Sequence, residues 1–149
     1  MLTKKGKYGL KAAIHLAGLP PGQSAQVADI ASTNGISRKF LDTILAELRV
    51  AGFLVSKKGK GGGYRLARPA SEIRVGDMVR ALDGPLAPIA CASRTAFQRC
   101  EDCTDDATCQ VRLMMLEVRN AVSSVLDTRS LADMRALAES GNDAPMYHI

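Results

Sequence analysis

The sequence predicts a mostly α-helical protein with one small β-hairpin, and two observations indicate this fold class. Apolar residues recur at spacings of three and four through most of the 149 residues, which is the period of amphipathic helices. The exception is residues 53–68, FLVSKKGKGGGYRLAR, where two short alternating runs flank a glycine-rich segment, as in two strands joined by a turn. A chain of this length can bury a core without disulfides, so we expect one domain, or one small domain with an appendage.

The first three predicted helices are short and closely connected. Residues 3–18 carry an apolar stripe and end at LPPGQ, and residues 25–35 end at Asn34-Gly35, a pair suited to a left-handed helix end. Residues 36–52 form the third helix, for which Ser37 is a suitable N-cap. Its apolar stripe comprises Phe40, Leu41, Ile44, Leu45 and Leu48. Two helices joined by such a tight turn are typical of a helix-turn-helix.

A polar start to the third helix and a basic hairpin directly after it together indicate DNA binding. In a helix-turn-helix, the N-terminal residues of the second helix reach base edges in the major groove. A hairpin that follows the motif is a wing, whose lysines approach phosphates or enter the minor groove. We therefore predict a winged helix-turn-helix over residues 1–84. Its candidate DNA contacts are Arg38, Lys39, Asp42, Lys57, Lys58 and Lys60.

The charge distribution agrees with a polyanion as partner. Residues 1–90 carry 14 Lys/Arg and 6 Asp/Glu, a balance of +8, whereas residues 91–149 carry 6 and 9, a balance of −3. A solvated surface is the other explanation, and charge alone leaves it open. No apolar run has the length of a membrane span or the pattern of a signal peptide, so we expect no membrane partner and a cytoplasmic location. No catalytic triad, carboxylate pair or nucleotide loop indicates an enzyme.

The second half is predicted to contain a long helix that pairs with another subunit. Residues 71–85 form a fourth helix, and residues 109–127 form the longest periodic stretch, a helix of about 30 Å at 1.5 Å per residue. Because this length exceeds what a small domain needs, we expect a homodimer, with packing on its own domain as the alternative. The near-heptad seam comprises Val111, Met114, Met115, Val118, Val122 and Val125. We assign residues 110–140 to this helix and a following short helix, and residues 141–149 to a tail.

All four cysteines lie in CASRTAFQRCEDCTDDATC, within a predicted cluster-binding loop at residues 85–109. Their spacing is Cys91-x₈-Cys100-x₂-Cys103-x₅-Cys109. Disulfides are rare in the cytosol, which favours metal or redox chemistry, and thiolates select iron-sulfur clusters or zinc. Structural zinc more often shows two Cys-x₂-Cys pairs, and here there is one. We therefore prefer a cluster, ahead of zinc or a thiol switch; inert packing fits poorly with the polar surroundings.

Three motifs carry a resemblance to a known family. They are TKKGKYGLKA, ISRKFLDTILAELRVAGFLVSKKGKGGGYRLA and LDTRSLADM, with the cysteine loop between the last two. Together they resemble the IscR, NsrR and RirA group of winged-helix transcriptional regulators, the Rrf-two family. The resemblance implies a homodimer that binds double-stranded operator DNA and carries an iron-sulfur cluster (2Fe-2S or 4Fe-4S). It adds Ser37 to the recognition-helix positions and places Lys58 in the minor groove; Tyr64, beside the wing tip, completes the candidate DNA-binding set.

The resemblance also implies which cysteines hold the cluster. The family uses three cysteines in this loop, and those that match are Cys91, Cys103 and Cys109. Arg112 and Lys7 stand where relatives have a histidine or an acidic fourth ligand. We therefore expect Cys100 to be the fourth ligand. Alternatively, Cys100 binds with Cys103 and Cys109 while Cys91 is a labile or redox-sensing thiol. The alternative function is a zinc-stabilised or thiol-redox-switched DNA-binding regulator without a cluster.

Overall fold

The computed structural model describes residues 2–141, and these residues form six α-helices and one two-stranded antiparallel sheet. In chain order the elements are α1 (Lys4–Ala17), α2 (Val27–Asn34), α3 (Arg38–Val50), β1 (Leu54–Lys57), β2 (Gly63–Leu66), α4 (Val75–Asp83), α5 (Gln110–Leu126) and α6 (Leu131–Ser140). The predicted mostly α fold with a hairpin wing is confirmed. The predicted tail at 141–149 lies, apart from Gly141, outside the described residues. None of the helices within residues 2–141 has the length and apolar character needed to cross a bilayer.

The core lies in the N-terminal region (residues 2–84), where α1 packs against α3 and α4. The apolar stripe of α3 supplies its centre, because Leu41, Ile44, Leu45 and Leu48 are all fully buried. Among the described residues, one fully buried side chain from beyond this region joins them. Leu131, at the start of α6, is fully buried in the same core, so the last helix packs back onto the N-terminal region.

Helix α1 packs closely against α4 at two of its glycines. A Cβ on Gly6 would lie 2.2 Å from an Asp83 carboxylate oxygen, and a Cβ on Gly9 would lie 2.2 Å from the Leu82 side chain. The same Asp83 accepts a hydrogen bond from the backbone N–H of Thr3 at 2.9 Å. The hydroxyl of Thr3 caps α1 by accepting from the N–H of Gly6. The start of α1 is therefore fixed to the end of α4.

Some predicted details of the helix-turn-helix are wrong. Helix α2 begins at Val27 rather than at residue 25, because Ala25 pairs with Tyr64 through two backbone hydrogen bonds of 2.8 and 2.9 Å. Ser37 occupies the N-cap position of α3, but its side chain makes no capping hydrogen bond. Phe40 is partly exposed and meets the ring of Tyr8 edge-on, so it lies outside the buried stripe. The predicted left-handed end of α2 is confirmed, with Gly35 at φ 64°.

The hairpin and α4 also depart from the predicted boundaries. Phe53 and Leu54 are buried while Val55 is exposed, so the alternating run predicted to begin at residue 53 is wrong at its start. The reason is that Phe53 precedes β1 and is not part of the strand. Lys57 ends β1 opposite Gly63 and is not in the tip. Helix α4 begins at Val75 rather than residue 71, because residues 70–72 form a 3₁₀ turn.

Candidate nucleic-acid interface and cysteine cavity

The first turn of α3 presents the predicted recognition residues to solvent. Ser37, Arg38, Lys39 and Asp42 are all exposed, while the opposite face of the helix is buried in the core. Within residues 2–141, neither Arg38 nor Lys39 forms a salt bridge. Their charges are therefore available to an external anion. The structure brings these four residues together on one exposed surface.

The tip of the wing is fixed by glycine geometry and one side-chain contact. A Cβ on Gly62 would lie 2.2 Å from the Lys57 carbonyl oxygen, and a Cβ on Gly63, at φ 118°, would lie 2.3 Å from the Ala25 carbonyl oxygen. Gln26, just before α2, donates from Nε2 to the Gly62 carbonyl at 3.0 Å. The wing is therefore held against the start of the helix-turn-helix.

The candidate residues of the wing fall into two groups. Lys57, Lys58 and Lys60 are exposed, and Lys58 and Lys60 lie in the tip. Tyr64 is half-buried and packs against the core. The core therefore accounts for the position of Tyr64, and its contact with DNA stays a prediction.

An ion pair joins the N-terminal region to the end of α5. Arg80, on α4, donates from both terminal nitrogens to the carboxylate oxygens of Asp127, at 2.7 and 2.8 Å. This hydrogen bonding lowers the pKa of Asp127 and raises that of Arg80. A Cβ on Gly76 would lie 2.1 Å from an Asp127 oxygen, so the two elements also approach closely here. Sequence reasoning missed this pair, because the partners are 47 residues apart.

The cysteine loop (residues 85–109) brings all four thiols to one cavity of about 380 Å³. Cys91 lies in a 3₁₀ turn, Ala90–Ala92, and is buried, which contradicts the prediction that all four cysteines have polar surroundings. Cys100 is exposed, and Cys103 and Cys109 are half-buried. Cys109 directly precedes α5, so the loop is continuous with the long helix. The four cysteines are free thiols.

Two of the thiols are close to each other. The sulfur atoms of Cys91 and Cys100 are 3.9 Å apart, and this contact raises the pKa of the Cys100 thiol. The distance is well beyond the roughly 2 Å of a disulfide. It is near the separation of about 3.8 Å expected for two thiolates on one tetrahedral metal with bonds of about 2.3 Å. Among the described residues, no three Cys, His, Asp or Glu side chains converge closely enough to hold a single metal ion.

Two arginines hold the backbone of the cysteine loop. Arg112, in the first turn of α5, donates from Nε to the Cys91 carbonyl at 2.9 Å and from Nη1 to the Asp106 carbonyl at 3.2 Å. Arg99 donates to the carbonyls of Cys103 and Thr104 at 3.2 and 3.1 Å. Sequence reasoning treated Arg112 only as the replacement for a histidine ligand. The sequence did carry a signal for this role, because Arg112 lies three residues after Cys109 on the same side of the first helical turn.

The predicted seam of α5 lies mostly in solvent within this single chain. Five of its six residues are exposed and Met115 is half-buried; the exposed members are Val111, Met114, Val118, Val122 and Val125. The one buried residue of α5 is the charged Arg119. The helix therefore presents an apolar face that the rest of residues 2–141 covers only in part.

Comparison with known proteins agrees with this arrangement. The family model Rrf2, described as an iron-dependent transcriptional regulator, matches residues 2–136. A Rhodobacter capsulatus protein described as an rrf2-like HTH-type transcriptional regulator is 40% identical over 147 residues, which cover 97% of this chain and 96% of the relative.

Two solved structures are similar over nearly all of both chains. CymR, the global cysteine regulator of B. subtilis, has a TM-score of 0.75 and 32% identity, with 91% of this chain and 96% of that chain covered. IscR from T. potens has a TM-score of 0.73 and 31% identity, with 99% and 94% covered. The resemblance found in the sequence is thus confirmed: the chain belongs to the Rrf2 family of DNA-binding transcriptional regulators, and it is not an enzyme.

Proposed function

We propose that the protein is a homodimeric transcriptional regulator that senses iron, redox state or nitric oxide through a cysteine-ligated iron-sulfur cluster. The observation that carries the proposal is the single cavity lined by all four cysteines at the start of α5. The description of the family as iron-dependent supports the same choice of cofactor.

The residues at the cavity fit a cluster better than a single ion. Thiolates are the ligands that iron-sulfur clusters and zinc prefer. One tetrahedral ion needs four donors in mutual contact, and no three donors among residues 2–141 are arranged in this way. A cluster distributes its ligands over several irons, which suits four thiols spread around a cavity of about 380 Å³. We assign Cys91, Cys100, Cys103 and Cys109 as its ligands. When bound, a cluster supplies one-electron chemistry and iron that oxidants or nitric oxide can remove.

The protein's own contacts connect this cavity to the DNA-binding surface. Arg112 holds the Cys91 carbonyl to the first turn of α5, so the position of the loop and the start of the helix are coupled. At its other end α5 leads to Asp127, which Arg80 binds to α4. Helix α4 packs on α3, whose first turn carries Arg38 and Lys39. A free-energy difference of a few kcal/mol between two arrangements of the cysteine loop is enough to switch the affinity for DNA.

The homodimer and the operator are proposed from two exposed surfaces. The apolar face of α5 needs a partner, and a second copy pairs the same residues by two-fold symmetry. Two copies would then present two recognition helices to two half-sites of double-stranded DNA. In this dimer the DNA contacts are Ser37, Arg38, Lys39, Asp42, Lys57, Lys58, Lys60 and Tyr64. Because operator binding takes place on the chromosome, we also propose a cytoplasmic location.

The decisive experiment is anaerobic purification followed by iron, sulfide and absorbance measurements. We expect iron and sulfide together, with visible absorbance. DNA selected by the protein from a random pool is then footprinted with cluster-loaded and cluster-free protein, and we expect affinities that differ at least about tenfold. A colourless protein that holds one zinc would instead support the zinc alternative. Equal affinity of the two forms would refute the sensing role.

Single serine variants decide the ligand set. If Cys100 is the fourth ligand, Cys100→Ser lowers the iron content as Cys103→Ser does. If only Cys91, Cys103 and Cys109 hold the cluster, Cys100→Ser retains its iron. Thr104→Ala is the matched control, because Thr104 is exposed and lines the same cavity.

The contact between Cys91 and Cys100 specifically favours one other function, a thiol-redox switch. Peroxide would take two electrons and two protons from the two thiols, giving a disulfide and two water molecules. Mass spectrometry of peroxide-treated, metal-free protein tests this alternative. It requires a Cys91–Cys100 crosslinked peptide and a change in DNA affinity that Cys91→Ser abolishes.

A further inference from the structure

We propose that a second cavity, of about 220 Å³ beside Arg119, is a binding site for a small anion, either a carboxylate or an oxyanion. This cavity is separate from the one lined by the cysteines, and sequence reasoning did not identify it. It lies between α4, α5 and the segment that follows Cys91. The proposal concerns anion binding and holds whether or not a cluster is bound.

The strongest indication is the environment of Arg119. This side chain is only 7% exposed, and its Nε is a buried donor without a hydrogen-bond partner among residues 2–141. The one hydrogen bond that the described residues give its guanidinium runs from Nη2 to Asn120 Oδ1. Burial and the nearby charge of Arg94 lower the pKa of Arg119. Buried charges are normally paired, so a guanidinium in this environment lacks an anion.

The other groups that line the cavity are mainly hydrogen-bond donors. They comprise two further arginines, Arg80 and Arg94, and the hydroxyl-bearing Ser93, Thr95 and Ser123. One carboxylate, Asp127, is also present, but Arg80 already binds both of its oxygens. Three arginines and one aspartate leave a net charge of +2 around the cavity. A cation would be repelled here, whereas an anion would meet several free donors.

The size of the cavity and the planar shape of the guanidinium group indicate which class of anion fits. A cavity of about 220 Å³ is smaller than the roughly 300–1,000 Å³ of pockets that hold drug-sized ligands, so it suits a compact anion rather than a nucleotide. The planar guanidinium matches carboxylate and phosphate oxygens in pairs. The chain itself buries Arg119, whereas Val118 and Val122, on the proposed dimer face, are exposed. A free small anion therefore fits better than a carboxylate from a second subunit.

Binding at this position would join three parts of the molecule. Ser93 lies two residues after the buried Cys91, Arg119 belongs to α5, and Arg80 belongs to α4. An anion between them offsets the repulsion between Arg94 and Arg119 and links the cysteine loop to the helix. A bound anion would therefore act on the same contacts between the cysteine loop, α5 and α4 that the proposed sensing mechanism uses.

The test is a titration of the full-length, ¹⁵N-labelled protein, in which NMR follows the arginine Nε–Hε signals. Phosphate, sulfate and succinate are added separately at constant ionic strength, with chloride as the reference anion. Arg119→Lys assigns the Arg119 signal by its disappearance. We expect this signal to shift saturably, and the relative affinities to distinguish oxyanions from carboxylates.

Two variants separate a specific site from general charge attraction. Arg94 is exposed, so Arg94→Ala should fold, and loss of a charged hydrogen bond should weaken binding about tenfold. Arg129→Ala removes another exposed arginine that does not line the cavity, and it should change the affinity less than about twofold. Shifts that never saturate, or equal weakening by both variants, would overturn the proposal. So would an Arg119 signal that no added anion moves, which is the result expected if a second subunit supplies the carboxylate.

Discussion

The N-terminal region and the segment formed by the cysteine loop and α5 differ in how they are stabilised. The core consists of buried side chains of residues 10–82 together with Leu131. By contrast, α5 buries only Arg119, and the loop buries only the consecutive residues Cys91, Ala92 and Ser93. The N-terminal region is thus packed within a single chain, whereas the cysteine loop and α5 leave most of their residues at least partly exposed. A segment with little packing of its own rearranges at a lower free-energy cost, so the loop and α5 are the part of the molecule where the proposed signal would act.

The largest expected effect is on the core of the N-terminal region. Leu48 is fully buried, so Leu48→Ala should lower the free energy of unfolding by about 2–5 kcal/mol, the range for a leucine that leaves a cavity. Chemical denaturation measures this change. The matched control is Leu113→Ala on α5, because Leu113 is 45% exposed and lies outside the proposed dimer seam, and the expected loss is about 1 kcal/mol or less. Equal losses in the two variants would contradict the contrast between the regions.

The next largest effect is expected at the apolar face of α5. Val118→Glu would place an unpaired charge in the proposed dimer interface and weaken the dimer by roughly 100-fold, about 2.7 kcal/mol. Sedimentation equilibrium gives the dissociation constant. Leu137→Glu on α6 is the control, since Leu137 is also exposed but lies outside the seam and should leave dimerisation unchanged. A Val118→Glu protein that stays as dimeric as the wild type would exclude this face as the interface.

A smaller effect is expected at the ion pair that joins the two regions. Asp127→Asn should lower the free energy of unfolding by about 1 kcal/mol near neutral pH. The loss is this small because both side chains of the pair are one-third exposed and the pair is partly screened by solvent. Hydrogen bonding to Arg80 lowers the folded pKa of Asp127, so its contribution is complete above the unfolded value of about 3.9 and is lost as the pH falls through the folded pKa.

Urea denaturation of Asp127→Asn and the wild type from neutral to acidic pH checks this sign. The difference in free energy of unfolding between Asp127→Asn and the wild type should disappear at low pH. Asp77→Asn is the control, because Asp77 meets the same Arg80 at a longer distance of 3.4 Å and is more exposed. A difference that grows with acidity would contradict the assignment.

The smallest effect on folding is expected at the wing tip. Lys58 is exposed, so Lys58→Ala should leave stability unchanged while lowering DNA affinity and reducing the dependence of log K on log salt by about 1. Binding titrations at several salt concentrations measure the slope. Lys4→Ala, at the exposed start of α1, is the comparison. An unchanged slope for Lys58→Ala would mean that this lysine does not contact a phosphate.

Much of the fold was predictable because local signals agreed with tertiary packing. The stripe from Leu41 to Leu48 and Gly35 were predicted correctly, because helical spacing and a left-handed helix end are local properties. The errors have tertiary causes. Residue 25 was predicted to be helical, but Ala25 pairs with a strand distant in sequence. Phe53 was assigned to an alternating strand, but it is buried before the strand begins.

The candidate site was predicted in part for the same reason. Four cysteines within nineteen residues indicated a common centre, and the structure places all of them around one cavity. The burial of Cys91 and the clamping of its carbonyl by Arg112 were not predicted. These features depend on how α5 packs against the 3₁₀ turn, and residue spacing in the sequence does not predict that contact.

The sequence by itself determined the helix-turn-helix, the basic wing, the long helix and the cysteine segment CASRTAFQRCEDCTDDATC. Each depends on periodicity, glycine position or ligand spacing, which are properties of neighbouring residues. Only the tertiary structure decided that Cys91 and Cys100 are in contact and that Arg80 joins α4 to Asp127. It also decided that Nε of Arg119 is buried without a hydrogen-bond partner among residues 2–141. The physical reason is that hydrogen bonding and desolvation depend on which distant residues meet. The same charged side chain is therefore solvated in one fold and left in need of an anion in another.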